Sequence, residues 1–395
     1  MSYATVLAGP LRACPDDPGP GVAVVLGTRP EMIKLAGVIE CLGDDARVFH
    51  TGQHYDQAMS GGVWAELGLP EPERVFGVGG LPRALQISHS LTALHHVFEQ
   101  SRPHTVIVQG DTNATLAGAL AANAHGIRLM HVEAGLRSHD RAMPEEHNRV
   151  LVSQLADVLC APTAASVRNL LSMGVARERI HLTGNTVVEA VRRRLPPADA
   201  RRDLLAAYGL APSGYVLATV HRPENTDVPE TLRTVLTELA ALTLPVVLPL
   251  HPRTLDRIRA FRLEHLLGTL TVTPPLPSAE FLGLAAEAAV LVSDSGGLQE
   301  ECTVLRRPLL VIRGSTERPE ALPGFSELAP PGPGISRLAN SWIACRAGIH
   351  EQLAGLDSPY GDGAASDRIA CLARNGAGAR PGAPHNPAPH KESDA

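Results

Sequence analysis

A chain of 395 residues with 44% hydrophobic content buries a large core, and its length fits two domains of ordinary size better than one. A formal charge of −6 leaves no basic excess to follow a phosphate backbone or coat an anionic bilayer, so neither a nucleic acid nor a membrane is expected as a partner. The six cysteines are scattered, with no Cys-x-x-Cys and no paired His spacing, and read as small buried hydrophobes in a reducing cytosol rather than as zinc ligands.

Residues 1–20 and 373–395 are rich in Pro, Gly, Ala and polar residues and are read as disordered tails. The N-terminus lacks a basic n-region, Pro10 breaks its apolar run, and no stretch approaches the roughly 20 apolar residues of a membrane span, so a cytoplasmic protein is expected. Between the tails, short β-branched runs alternate with helical patterns. "GVAVVLG" leads into "MIKLAGVIECLG", "HTVIVQGD" into "TLAGALAANAHG", "IRLMHVEA" into the charged stretch 131–149, and "DVLCAPT" into "AASVRNLLSMG". The alternation predicts a parallel, doubly wound α/β domain over 21–205. The pattern restarts after Gly214 with "YVLATVHR", "PVVLPLHPR", "AVLVSDSGG" and "PLLVIRGST", predicting a second, nucleotide-binding domain over 206–357. Nearly every polar cluster follows a strand, where open parallel sheets bind ligands, so two Rossmann-like domains facing a central cleft are expected.

In "SDSGGLQEE", Ser295, Gly296 and Gly297 follow a strand and open a helix, offering backbone N–H groups to an anion; a plain strand-to-helix turn is the alternative. Glu301, about a turn further on, suits two ribose hydroxyls. Arg29 and Lys34 in "GTRPEMIK" suit a diphosphate, as a bidentate fork and a point charge, although Lys34 also fits a solvated helix position. His221 in "VHRPEN" and His251 in "LHPR" each follow a strand and are equally readable as phosphate donors or structural histidines. Asp111, Glu133 and Glu145 put three carboxylates at one rim, the raw material for acid and base work in one site. Magnesium is the weaker reading of those acids, because Arg29, Arg137 and Arg149 already supply positive charge. "VRRR", 191–194, reads as a solvated helix face.

Taken in order over residues 21 to 372, "GTRPE-x-IK", "TGQH", "QGDT", "HVEAGLR", "PEE-x-NR", "GN", "HR-x-EN", "SDSGG-x-QEE" and "TERPE" resemble the UDP-N-acetylglucosamine 2-epimerase family, whose fold is similar to that of the GT-B glycosyltransferases. The resemblance implies interconversion of UDP-GlcNAc and UDP-ManNAc by elimination of UDP to 2-acetamidoglucal and re-addition, with no cofactor and no metal, in a homodimer. It carries over acid–base roles to Asp111, Glu133 and Glu145, with His221 a further catalytic candidate. Diphosphate handling falls to Arg29, Lys34, Arg149, His221 and Ser295 with Gly296 and Gly297, and ribose binding to Glu301; His251 and Arg318 complete the substrate-binding set. Arg137 is expected to orient the neighbouring carboxylates.

"SPYGDGAASDRI" resembles the family's C-terminal segment, so 358–372 is expected to cross back and pack a helix on the first domain. Two departures stand out. The stretch between Arg137 and Pro144 is shorter than the family pattern, and Gln53, His54 and Gln57 match part of an activator site whose Arg-Gln partner is not clean near "GVGGLPRALQ". Three other functions fit subsets of the motifs. They are a hydrolysing epimerase releasing ManNAc and UDP, a GT-B glycosyltransferase, and a non-catalytic nucleotide-sugar sensor.

Overall fold

The computed structural model describes residues 21–53, 64, 67–69, 71–322 and 324–375; His54 and Gln57 lie outside them. The strand Val22–Leu26 (β1) is apolar throughout and fully buried, as a strand covered on both faces of a parallel sheet must be. Its residues alternate between two cores. Val22, Val24 and Leu26 join Leu35, Val38 and Ile39, whereas Ala23 and Val25 join Leu94, Phe98 and Val106.

Six further strands complete the first sheet: Ala46–His50 (β2), Arg74–Val75 (β3), Thr105–Gln109 (β4), Arg128–Val132 (β5), Val158–Ala161 (β6) and Ile180–Leu182 (β7). Their order is β3-β2-β1-β4-β5-β6-β7, with parallel neighbours. The second sheet contains Val216–Thr219 (β8), Val246–Pro249 (β9), Thr271–Thr273 (β10), Val290–Ser293 (β11), Leu309–Val311 (β12) and Ser326–Leu328 (β13), ordered β10-β9-β8-β11-β12-β13. In each sheet the strand order reverses once, between β1 and β4 and between β8 and β11, which opens a crevice beyond those strand ends. The loops leaving these four strands carry "GTRPE", "QGDTN", "HRPEN" and "DSGG".

The packing moves one expected boundary. Val187, Val188, Val191 and Leu205 share a core with Tyr215, Leu217 and Leu284, so the helices Val187–Arg194 and Ala198–Ala207 rest on the second sheet. The first domain therefore ends near Gly184 rather than at 205: the helices' amphipathic pattern shows that they have an apolar face but not which sheet it meets. The chain leaves the first domain at Gly184–Asn185 and returns at Tyr360–Gly361, and the two crossings touch. Asn185 N–H donates to Tyr360 O at 2.8 Å, and Gly184 (φ 85°) and Gly361 (φ 106°) both have left-handed backbone. A Cβ on Gly361 would lie 3.2 Å from Gly184 Cα, so the approach depends on glycine. The last helix, Ala365–Arg374, then buries Ala365, Ile369, Ala370 and Ala373 in the first domain's core. Among the described residues no helix is long and apolar enough to cross a membrane.

Candidate active site

On the first domain, the β1 and β4 loops are tied together by one buried carboxylate. Glu31 accepts from Gly27 N–H (3.0 Å) and Thr28 Oγ1 (2.8 Å) on its own loop, and from Thr112 Oγ1 (2.8 Å) and Thr115 Oγ1 (3.2 Å) beyond Asp111. Burial outweighs these four bonds and raises its pKa to about 7. Beneath Asp111, the buried His131 ring approaches Gly110 O through Nε2 at 2.8 Å, a contact in which only the nitrogen can donate. Burial lowers the His131 pKa to about 4.

These two groups have opposite linkage. The unfolded chain protonates His131 first, so its contribution to stability is complete above pH 6.5 and is lost as pH falls toward 4. The folded chain protonates Glu31 first, so its contribution is complete below pH 4.5 and is lost as pH rises toward 7. Each is worth roughly 3 kcal/mol across its window. Between pH 4.5 and 6.5 the two slopes oppose each other. His131→Gln is expected to gain stability as pH falls through that window, relative to the parent, and Glu31→Gln to lose it. Urea midpoints taken across the window check both signs.

Where the domains meet, a charged cluster is almost sealed from solvent. Glu133 follows β5 with φ 64°, a left-handed conformation costly for a residue with a side chain and characteristic of functional sites. Lys34 Nζ bridges Glu133 Oε1 at 2.6 Å and Glu300 Oε2 at 2.7 Å. Arg318 Nε binds Glu300 Oε1 at 2.8 Å, its Nη2 lies 3.8 Å from Glu133, and its Nη1 pairs with Glu317, which also holds Arg313 Nη1 at 3.0 Å. Asn185, at the domain crossing, donates to Glu133 (3.3 Å) and Glu300 (3.2 Å), and Gln109 donates to the second oxygen of Glu133. Three cations thus face three carboxylates.

Burial disfavours the Lys34 ammonium, yet Glu133 and Glu300 outweigh it and hold its pKa above the ordinary lysine value. Burial would also raise Glu133, but Lys34 and Arg318 keep it below the carboxylate norm, whereas burial prevails for Glu300 and lifts it above. The same cluster thus pushes two adjacent carboxyls in opposite directions.

Asp111, the second acid of this rim, accepts from Arg149 Nη2 at 2.5 Å and Nε at 3.1 Å, and Arg149 Nη1 binds Glu146 at 2.5 Å. Arg149, expected at the diphosphate, is therefore engaged by two carboxylates. Glu145 is exposed on the first turn of the helix Pro144–Leu155, and its neighbour Glu146 is the buried one, also accepting from Ser138 and His139 N–H. Arg137 donates to Ser153 Oγ (3.1 Å), Leu136 O and the Met173 sulfur, so it braces the fold rather than orienting Glu133 or Glu145. Arg29 opens the helix Arg29–Leu42 at the β1 rim.

On the second domain, Asp294 is fully buried between β11 and its helix. It accepts from His221 N–H (3.0 Å), Arg222 N–H (2.9 Å) and Asn225 Nδ2 (2.9 Å), and His221 Nδ1 sits 3.0 Å away. Burial works against its charge, but the His221 hydrogen bond and its companions hold the pKa low. The imidazole is thereby held through Nδ1, and its side chain is 44% exposed. Ser295 caps the helix Gly296–Leu305, and a Cβ on Gly296 would come within 2.8 Å of Arg318 Nη1, so glycine leaves the guanidinium room beside the helix N-terminus. His251 accepts from Arg253 N–H at 3.3 Å as the cap of the helix Pro252–Ala260, its structural reading.

Glu301 faces Arg194, whose Nη2 lies 4.0 Å from Glu301 Oε1 and whose other nitrogens donate to Ala190 O (2.9 Å) and Ser278 Oγ. The expected solvated face of 191–194 holds for Arg193, 46% exposed, but fails for Arg194, 9% exposed. Sequence reasoning also missed Glu300, Asp294, Glu146 and Glu31. Each stands within a quoted motif, but nothing local says which of the adjacent acids Glu300 and Glu301, or Glu145 and Glu146, turns inward, nor that Glu31 and Asp294 are buried as hydrogen-bond hubs of their loops.

Two Rossmann-like domains with their polar strand ends facing one cleft, a glycine-started helix on one side and acids on the other, define a GT-B-like fold. A profile of the family described as UDP-N-acetylglucosamine 2-epimerase matches residues 42–373. A curated relative from Methanococcus maripaludis, named UDP-N-acetylglucosamine 2-epimerase, is 39% identical over 311 residues, 76% of this chain and 85% of its own. The crystal structure of Methanocaldococcus jannaschii UDP-GlcNAc 2-epimerase in complex with UDP-GlcNAc and UDP aligns with TM-score 0.78 at 34% identity, covering 90% of this chain and 99% of that one. UDP-2,3-diacetamido-2,3-dideoxy-D-glucuronate 2-epimerase of Pseudomonas aeruginosa is 34% identical over 88% of this chain and 98% of its own. The chain belongs to the UDP-N-acetylglucosamine 2-epimerase family of isomerases.

Proposed function

We propose that the chain interconverts UDP-GlcNAc and UDP-ManNAc by elimination and re-addition. The carrying observation is Glu133, an ionised carboxylate in strained backbone at the domain junction, beside Lys34, Arg318 and the helix start at Ser295–Gly297. A carboxylate of this rim takes the C2 proton, the C2–H pair becomes the C1=C2 bond, and the C1–O pair leaves with UDP. A proton then returns to the opposite face of C2 as a UDP oxygen re-adds at C1. Lys34, Arg318, Arg29 and the helix N–H groups stabilise charge on the departing diphosphate, where preorganised donors contribute most. His221, held by Asp294, donates to it; Asp111 and Glu145 are the remaining acid–base candidates.

NMR of the reaction in D2O without acceptor tests this. UDP-ManNAc carrying deuterium at C2 is expected. Free ManNAc with UDP would mean the hydrolysing outcome, and full protium at C2 of the epimer would eliminate the mechanism. The Pseudomonas relative, matched over nearly its whole length, favours a second reading in which the sugar is a diacetamido uronate; comparing kcat/KM for the two sugars decides. A homodimer is part of the proposal, checked by sedimentation equilibrium.

In this reading Glu301 accepts ribose hydroxyls, and burial raises its pKa while Arg194 opposes the rise. Arg194→Met is expected to raise KM about tenfold with kcat nearly unchanged, as loss of a charge-assisted contact should. The increase should be largest at acidic pH, because Glu301 then protonates more readily; a KM profile from pH 5 to 8 is the measurement.

A further inference from the structure

Away from the cleft, the final turns of the helix Arg83–Gln100 carry His95, His96 and Glu99, whose ligand atoms all lie within 4.8 Å of one another. Spacings of four and three residues bring Glu99 beside both imidazoles. His95 Nε2 is 3.4 Å from Glu99 Oε1, and His96 Nδ1 is 3.6 Å from Glu99 Oε2. Ligands held about 2.0–2.1 Å from a tetrahedral ion stand about 3.3 Å from each other. Both His–Glu pairs are thus close to chelating separation, and only the two imidazoles need to close by side-chain rotation.

A third histidine supplies what a chance surface cluster lacks. His125, at the end of the helix Asn113–Ala124, places Nε2 2.8 Å from His95 Nδ1, and buried Phe98 meets its ring edge-on at 6.0 Å. The His125 contact holds the His95 ring with its Nε2 edge toward Glu99. Metal-bound histidines are oriented in this way, by a partner for the other ring nitrogen. The exposed His–Glu pairs, with side chains 46–57% exposed, give little stability by themselves.

We infer that His95 Nε2, His96 Nδ1 and the Glu99 carboxylate form a surface site for a divalent first-row transition ion, with His125 as its orienting partner. Imidazole with carboxylate suits Zn²⁺, Co²⁺ or Ni²⁺ rather than Mg²⁺ or Ca²⁺. The site is structural. Twelve residues of helix separate it from Arg83, about 18 Å at 1.5 Å per residue, and Arg83 is the end that meets the cleft, donating to Asn148 Oδ1 at 2.7 Å. With all three ligands on one helix, the ion would brace the end of that helix. His125, through His95, links it to the far end of a second helix, whose near end is joined to the first by Asn113 Nδ2 donating to Gln86 Oε1 at 2.7 Å.

The test uses full-length, untagged, metal-stripped protein titrated with CoCl2, followed by visible absorption, and then with ZnCl2 as competitor. One equivalent of Co²⁺ per chain with ligand-field bands displaced by Zn²⁺ is expected, together with a higher thermal midpoint in Zn²⁺. His95→Ala should abolish the bands and the thermal shift, and Glu99→Gln should weaken binding at least about tenfold. His125→Ala should keep the site but weaken it about 10–100-fold, the effect of losing an outer-shell partner. Midpoints in the absence of metal show that each variant folds. No saturable binding, binding unchanged in His95→Ala or Glu99→Gln, or a His125→Ala titration equal to the parent's would each overturn the assignment.

Discussion

Lys34→Met is expected to destabilise the protein by about 3–5 kcal/mol, the cost of removing one partner from a buried ion pair. Lys34, Glu133 and Glu300 have side chains only 9%, 5% and 0% exposed, so water cannot take over the screening. The methionine keeps the volume of the stem but leaves two carboxylates face to face, with Arg318 as their shared cation and Asn185 as their shared amide donor. Adding Glu300→Gln to Lys34→Met removes one of the two stranded charges and should recover a large part of the loss. In a double-mutant cycle the pair is therefore strongly non-additive. Trp64 lies in a first-domain core and Trp342 packs on a second-domain core, so fluorescence can follow urea unfolding of both domains. Additive losses within about 0.5 kcal/mol would show that the cluster is not coupled across the cleft.

Glu133→Gln should lower kcat by about 10²–10⁴, the range general-base catalysis supplies, while UDP affinity changes little. Glutamine matches the side chain in shape, so the left-handed backbone at 133 and the hydrogen bond to Asn185 can persist; what is lost is the basic oxygen. Exchange of deuterium into C2 should fall in the same proportion as turnover. Wild-type exchange with slow epimerisation would instead assign abstraction to Asp111 or Glu145 and the return of the proton to Glu133.

The two-sheet architecture was legible in the sequence because parallel strands such as Val22–Leu26 and Val290–Ser293 are continuous apolar runs followed at once by polar loops. Glu133 was singled out for the same reason, standing just past a strand end, and Lys34 as a cation on the helix that follows one; the structure brings the two together at 2.6 Å. Side-chain direction over long sequence separations was not legible. Three consecutive arginines span about 200° of a helix, so 192–194 cannot all share one solvated face, but the partners of Arg194, Ser278 and Glu301, lie 84 and 107 positions further on. The same applies to Glu300 beside Glu301 and Glu146 beside Glu145. One residue of helix turns a carboxylate by about 100°, and only packing decides which of the two enters the cleft.

The touching crossings at Gly184–Asn185 and Tyr360–Gly361 also bear on how the halves of the molecule move. A single tether lets two bodies swivel in any direction, whereas two tethers fastened side by side behave like the knuckles of a door hinge and leave essentially one swing axis. Because Asn185 is both a knuckle and a donor to Glu133 and Glu300, the axis runs beside these two acids. A small rotation there alters the distance between the two acids less than it alters the gape of the outer cleft. The two acids can therefore keep their alignment while the outer cleft widens and narrows.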